Sequence, residues 1–141
     1  MIFTRIFVAI DGTDASLRVL SAAIELAGRY RTELMIVTPI PVPDWVARQN
    51  MEHGKVEVYV EAHAQQTFQP AVGMLRQAGL GAELKVVIGQ PAESLVAAIN
   101  ESGADLVVMG RRGRDEPKDL VLGSVSDRIT RHVKVPILLV P

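Results

Sequence analysis

Cysteine is absent from the 141 residues. That excludes a disulfide scaffold, a thiolate zinc site, an iron–sulfur cluster and a cysteine nucleophile. No apolar run approaches the ~20 residues that a helix needs to cross a bilayer, so no membrane partner is expected. A charge excess is missing too: Lys plus Arg is 15 against 16 for Asp plus Glu, net −1. The bulk electrostatic drive of a nucleic-acid coat protein is therefore lacking, and no nucleic-acid partner is expected. The first residues, Met1 to Arg5, lack the charged and apolar regions of a secretory signal, which points to the cytoplasm. There is no Gly-x4-Gly-Lys-Ser/Thr loop, no Gly-x-Gly-x-x-Gly and no nucleophile elbow. His53, His63 and His132 are scattered and carry no metal-ligand spacing, so no metal site is expected.

What the chain does have is apolar material, 48% of its residues, and enough length to bury a core. It reads as one domain over residues 1–141. Ile6 to Ile10 is a short, continuous apolar run ending in the turn cluster Asp11-Gly12-Thr13, as in a strand covered on both faces. Over 14–30 the period changes: Leu17, Leu20, Ile24 and Ala27 mark one face of a helix, with Thr13 or Asp14 placed to cap it. A second strand runs from Glu33 to Thr38, and Pro39, Pro41 and Pro43 then predict a surface loop over 39–54.

Residues 56–79 carry two periods. Val56, Val58 and Val60 alternate like a strand, whereas Ala64, Phe68, Ala71, Val72 and Leu75 follow a helix face. Length favours a helix, with Pro70 predicting a kink or a new start. Beyond it come a strand at 82–88, a helix opening at Pro91, a strand at 105–109, a glycine-punctuated loop at 110–123, a helix from Ser124 to Val133, and a last strand at 137–140. Strict β–α alternation predicts a parallel sheet with helices on both faces, and a ligand site beyond the carboxyl ends of the strands where strand order reverses.

The sharpest local signal is Gly110-Arg111-Arg112-Gly113, nine residues, then Gly123-Ser124. It leaves a strand's carboxyl end and finishes at a helix start. Glycines let the backbone approach a ligand, and a helix N-terminus presents free N–H groups and partial positive charge. Ser124 and Ser126 add hydroxyl donors. A turn-rich loop with a serine cap would give the same letters.

This Gly-x2-Gly-x9-Gly-Ser pattern resembles the nucleotide loop of the ATP-binding universal stress proteins. The opening from Phe7 to Ser16 and the close from Val135 to Pro141 resemble the same family, so the likeness spans the chain. It implies a five-stranded parallel sheet in the order 3-2-1-4-5, an adenine nucleotide α-hydrolase-like three-layer α/β/α sandwich. It further implies an adenine nucleotide as ligand, ATP alone or with Mg²⁺, and a homodimer paired through strand 135–140. On the family's pattern, Asp11 lies by the ribose, and the backbone of Ala9 and Ile10 by the adenine. Val37 gives backbone contacts to the adenine, and Met109 and Gly110 line the ribose and α-phosphate side. Gly113, Gly123, Ser124 and Val125 cradle the phosphates.

Each assignment has a plainer counterpart: Asp11 as a turn former, Val37 as core, Met109 as core filler. Arg111 and Arg112 are bulkier than the pattern leads one to expect; they either offer forked donors to phosphate or point into water. Asp115 and Glu116 sit inside the spacer, and facing the phosphates they would repel them unless Mg²⁺ or Lys118 compensates. Nothing resembles a placed general base, so a nucleotide-binding stress-response module with little or no turnover is expected. The alternative is an interaction scaffold that binds no nucleotide. An α-hydrolase-type enzyme would need a further substrate domain.

Overall fold

The computed structural model describes residues 3–44, 55–113 and 116–141. Five strands, β1 (Arg5–Ala9), β2 (Glu33–Ile40), β3 (Glu83–Ile88), β4 (Leu106–Gly110) and β5 (Ile137–Val140), form one sheet in the order β3-β2-β1-β4-β5. All four pairings are parallel. The helices are α1 (Asp14–Tyr30), α2 (Lys55–Ala78), α3 (Pro91–Ser102) and α4 (Ser124–His132).

The alternation of side chains along β1 builds two cores. Ile6, Val8 and Ile10 face α1 and α2, packing with Val19, Leu20, Ala23, Ala71 and Leu75. Phe7 and Ala9 face the other way, toward Leu95, Ala98 and Ile99 of α3 and Ile129 of α4. Burying each large aliphatic or aromatic side chain contributes ~1.5–3 kcal/mol, so continuous apolar strands read as doubly covered ones.

Three local expectations change. In α1 the buried stripe is Ser16, Val19, Leu20, Ala23 and Ala27, while Leu17 is 39% exposed. Small residues let α1 lie close to the sheet, and Leu17 falls at the edge of that stripe. Second, Pro39 is in a strand rather than a loop, paired with Val87. The Ile10 N–H bonds the Val37 carbonyl and the Gly89 N–H bonds the Ile40 carbonyl, so odd positions of β2 face β1. The donor that Pro39 lacks therefore falls where β1 has already ended. Third, α2 is one helix that runs through Pro70; the valine alternation yields to the longer period. Pro70 is exposed and cannot donate to the Gln66 carbonyl one turn earlier. Of the expected 39–54 loop, residues 45–54 lie outside the described residues.

A cleft at the strand switch point

In this order β2 lies on one side of β1 and β4 on the other, so the crossovers diverge between the carboxyl ends of β1 and β4. A cleft of about 600 Å³ opens there, a size that suits a small-molecule ligand. The first turns of α1, α3 and α4 all line it, through Thr13, Pro91 and Ser124. Each helix start brings part of a positive charge, so the cleft favours an anion.

After β1 the chain turns at Gly12, whose φ of +83° suits glycine; a Cβ there would meet Thr67 Oγ1 of α2 at 3.0 Å. Asp11 organises this turn. Its Oδ1 accepts from the Thr13 N–H, the Thr13 hydroxyl and the Ser16 hydroxyl. Thr13 stands at the N-cap of α1 but makes no side-chain cap bond, because its hydroxyl is spent on Asp11. The turn-former reading of Asp11 is thus realised, on a residue that also lines the cleft.

After β4, the loop is drawn closed at its neck. The Gly123 N–H donates to the Arg111 carbonyl at 2.8 Å. The buried Ser126 hydroxyl donates to the same carbonyl at 2.6 Å. The sequence offers the Ser126 hydroxyl to a ligand; in the structure it ties α4 to the end of β4. The Arg111 N–H bonds the Val140 carbonyl, extending the β4–β5 ladder by one residue.

Between the neck and α4 sits an acid. Glu116 Oε1 accepts the Gly113 N–H at 2.9 Å and Oε2 accepts the Ser124 N–H at 3.1 Å. A Cβ on Gly123 would collide with Glu116 Oε1 and come within 3.1 Å of Arg112 Cα. The absent side chain is what admits the carboxylate. Arg112 lines the cleft, and its Nη1 is buried with no hydrogen-bond partner among the described residues.

Of the residues singled out in the sequence, Ala9, Ile10, Asp11, Met109 and Gly110 line the cleft, as do Arg112, Gly113, Ser124 and Val125. Gly123 lies just behind, against Glu116. Val37 does not reach the cleft: it is fully buried and its carbonyl is taken by Ile10. Since β2 continues to Ile40, the wall there is Thr38 to Pro41. The far wall is α2, with Tyr59 and His63 presenting rings 4.3 Å apart. Their spacing of one helical turn was the available signal, but only packing shows which way that face points. Asp115 lies outside the described residues. Among those residues there is no group of three or more acidic or histidine side chains able to hold a metal ion, and no helix long and apolar enough to cross a membrane.

Fold and cleft together define a doubly wound α/β/α sandwich with an anion-favouring cleft at its switch point. The sequence model of the Universal stress protein family matches residues 3–141, and the chain belongs to that family. It is 30% identical over 146 residues to Universal stress protein YxiE of Bacillus subtilis, covering 98% of this chain and 99% of that protein. The structure of MJ0577, a protein of Methanocaldococcus jannaschii, superposes with a TM-score of 0.85 at 19% identity, covering 99% of this chain and 96% of that one, a likeness of fold. A universal stress protein solved in complex with cAMP superposes with a TM-score of 0.72 at 26% identity, covering 100% of this chain and 98% of that one.

Proposed function

We propose that the cleft binds an adenine nucleotide, ATP foremost, and that the protein is a cytoplasmic stress-response module whose state follows nucleotide occupancy. The observation that carries the reading is the cradle: two backbone amides, from Gly113 and Ser124, hold an anionic group at the start of α4, behind a glycine with no room for a side chain. A relative of like fold in complex with cAMP supports the ligand class.

In this reading the backbone at Ala9 and Ile10 faces the adenine, together with Thr38 to Pro41 in place of Val37. Asp11 sits by the ribose, where a carboxylate accepts from sugar hydroxyls. Met109 and Gly110 line the ribose and α-phosphate. Gly113, Gly123, Ser124 and Val125 surround the phosphates. Arg112, with an unpartnered buried nitrogen, supplies a forked donor that needs an anion. Any Mg²⁺ would arrive on the phosphates, since the described residues offer no ligand cluster of their own. Phosphoryl transfer depends on a positioned nucleophile and charge stabilisation. The reading assigns no side chain to an attacking water, so turnover is slow or nil. Two copies pair through β5.

A second reading, an interaction scaffold without nucleotide, draws on the same cradle, because Glu116 already satisfies it. The two separate on purified protein. Denaturation followed by mass spectrometry of released small molecules, then thermal unfolding with ATP and Mg²⁺, decides between them. Saturating ligand at 100 times Kd stabilises the fold by ~2.7 kcal/mol. Released adenine nucleotide or a rise in Tm supports the first reading; neither, at millimolar ATP, supports the scaffold.

A further inference from the structure

We propose that Glu116 is an internal stand-in for a ligand phosphate, holding the cradle in the ligand-free protein and competing with the phosphate chain for it. The proposal rests on the anion-cradle part of the reading above and adds what sets its selectivity. The two carboxylate oxygens take the two amides at 2.9 and 3.1 Å, as two oxygens of one phosphate would. Among the described residues Glu116 makes no ion pair, so backbone amides and the N-terminus of α4 are what hold its charge. Arg112, close by, keeps a buried nitrogen unpartnered rather than pairing with it. The cradle is thus satisfied by an acid while the neighbouring guanidinium is not.

The consequence is a penalty on phosphate. An incoming phosphate gains only the difference between its own hydrogen bonds to Gly113 and Ser124 and those it displaces, and Glu116 left nearby repels it. The natural protein should therefore prefer ATP to adenosine by less than an empty cradle would allow. Without the carboxylate, the phosphate chain gains the whole of those bonds. The alternative is a structural clasp, in which Glu116 only fastens the loop to α4.

The test compares the full chain with Glu116→Ala and with the milder Glu116→Gln, each checked for native circular dichroism. Calorimetric titration with adenosine and with ATP gives the ratio of the two dissociation constants. The proposal expects ATP to tighten by about tenfold or more in Glu116→Ala, adenosine to hold constant, and Glu116→Gln to fall between. Where the natural chain binds ATP, an affinity unchanged or weaker in Glu116→Ala overturns it in favour of the clasp, and leaves the nucleotide reading standing.

Inorganic phosphate is the second probe, followed by amide NMR at Gly113 and Ser124. Here Glu116→Ala is expected to saturate at about tenfold lower phosphate than the natural chain. If no form binds adenosine or ATP but Glu116→Ala gains phosphate at these amides, the adenine reading fails and the stand-in holds. If Glu116→Ala gains neither ATP nor phosphate, the stand-in is refuted.

Discussion

Asp11 and Ser16 exchange hydrogen bonds across the start of α1: the Ser16 hydroxyl donates to Asp11 Oδ1 at 2.6 Å and accepts the Asp11 N–H at 2.8 Å. Ser16 is buried and Asp11 lines the cleft, so Ser16 works with Thr13 to fix the carboxylate of the candidate ribose contact. Ser16→Ala leaves the Asp11 N–H without its acceptor and should cost ~1–2 kcal/mol of stability. Asp11→Ala removes the bonds that its Oδ1 accepts from Thr13 and Ser16 and should cost about 2 kcal/mol or more. Because the residues share bonds, the double variant should cost ~0.5–1.5 kcal/mol less than the sum. Urea unfolding of all four proteins checks this; additive losses would show that the pair is not a unit.

Gly123→Ala tests the cradle by steric means. The added methyl meets both Glu116 and the Arg112 backbone. The side chain can swing away, the backbone cannot, so neither carboxylate nor phosphate should fit. Gly123 has φ −72°, ordinary for alanine, so the fold should survive with a loss of about 1 kcal/mol. ATP affinity should fall at least about tenfold, and adding Glu116→Ala should not restore it. Calorimetry on the single and double variants measures this; recovery in the double variant would mean that the methyl acts only through Glu116.

Asp105 sets an acid limit at the amino ends of the strands, opposite the cleft. Burial pushes its carboxyl up, but hydrogen bonds from the Thr4 N–H, the Arg5 N–H and the Thr4 hydroxyl outweigh that and hold it below its ordinary value. A carboxyl depressed in the folded chain binds its proton more readily when unfolded. Its stabilisation is therefore complete above the ordinary carboxylate pKa of ~3.9 and fades as pH falls toward the lowered folded value. Asp105→Asn should destabilise by ~1–2 kcal/mol at neutral pH, and the gap to the natural chain should narrow below about pH 4. Thermal unfolding at a series of pH values reads both; a pH-independent gap would contradict the assignment.

The outer edge of β5 is the expected dimer seam. Among the described residues β5 pairs only with β4, and Leu138 is 39% exposed. A two-fold pair covers both edges at once. Light scattering at micromolar concentration should give twice the 15.3 kDa chain mass, and Leu138→Asp should shift it toward the monomer. A monomeric natural chain would rule the seam out.

Much of the fold was legible because burial on two faces leaves a plain mark. Ile6 to Ala9 is uninterrupted, and its residues divide between two cores as a period of two requires. The order of the strands was not in the periodicity at all and came from the resemblance. Leu17 misled because hydrophobicity alone marked it, whereas close packing on the sheet favours the small Ser16, Ala23 and Ala27. Pro39 misled because a missing donor matters only if a neighbouring strand is there to receive it. At the cleft, the loop glycines and Asp11 were visible as spacing. Tyr59 and His63 were not, since they reach the cleft only through packing distant in sequence. The direction of Glu116, toward the cradle, needed coordinates.

Whether an adenine nucleotide occupies the switch-point cleft is read out residue by residue in amide NMR of the full chain titrated with ATP. Saturable shifts are expected at Ile10, Asp11, Gly113 and Ser124, with Tyr30 and Gly103, at the amino ends of the strands, unmoved. Unmoved resonances at those four residues up to millimolar ATP, or shifts gathered elsewhere on the surface, would contradict nucleotide occupancy of the cleft.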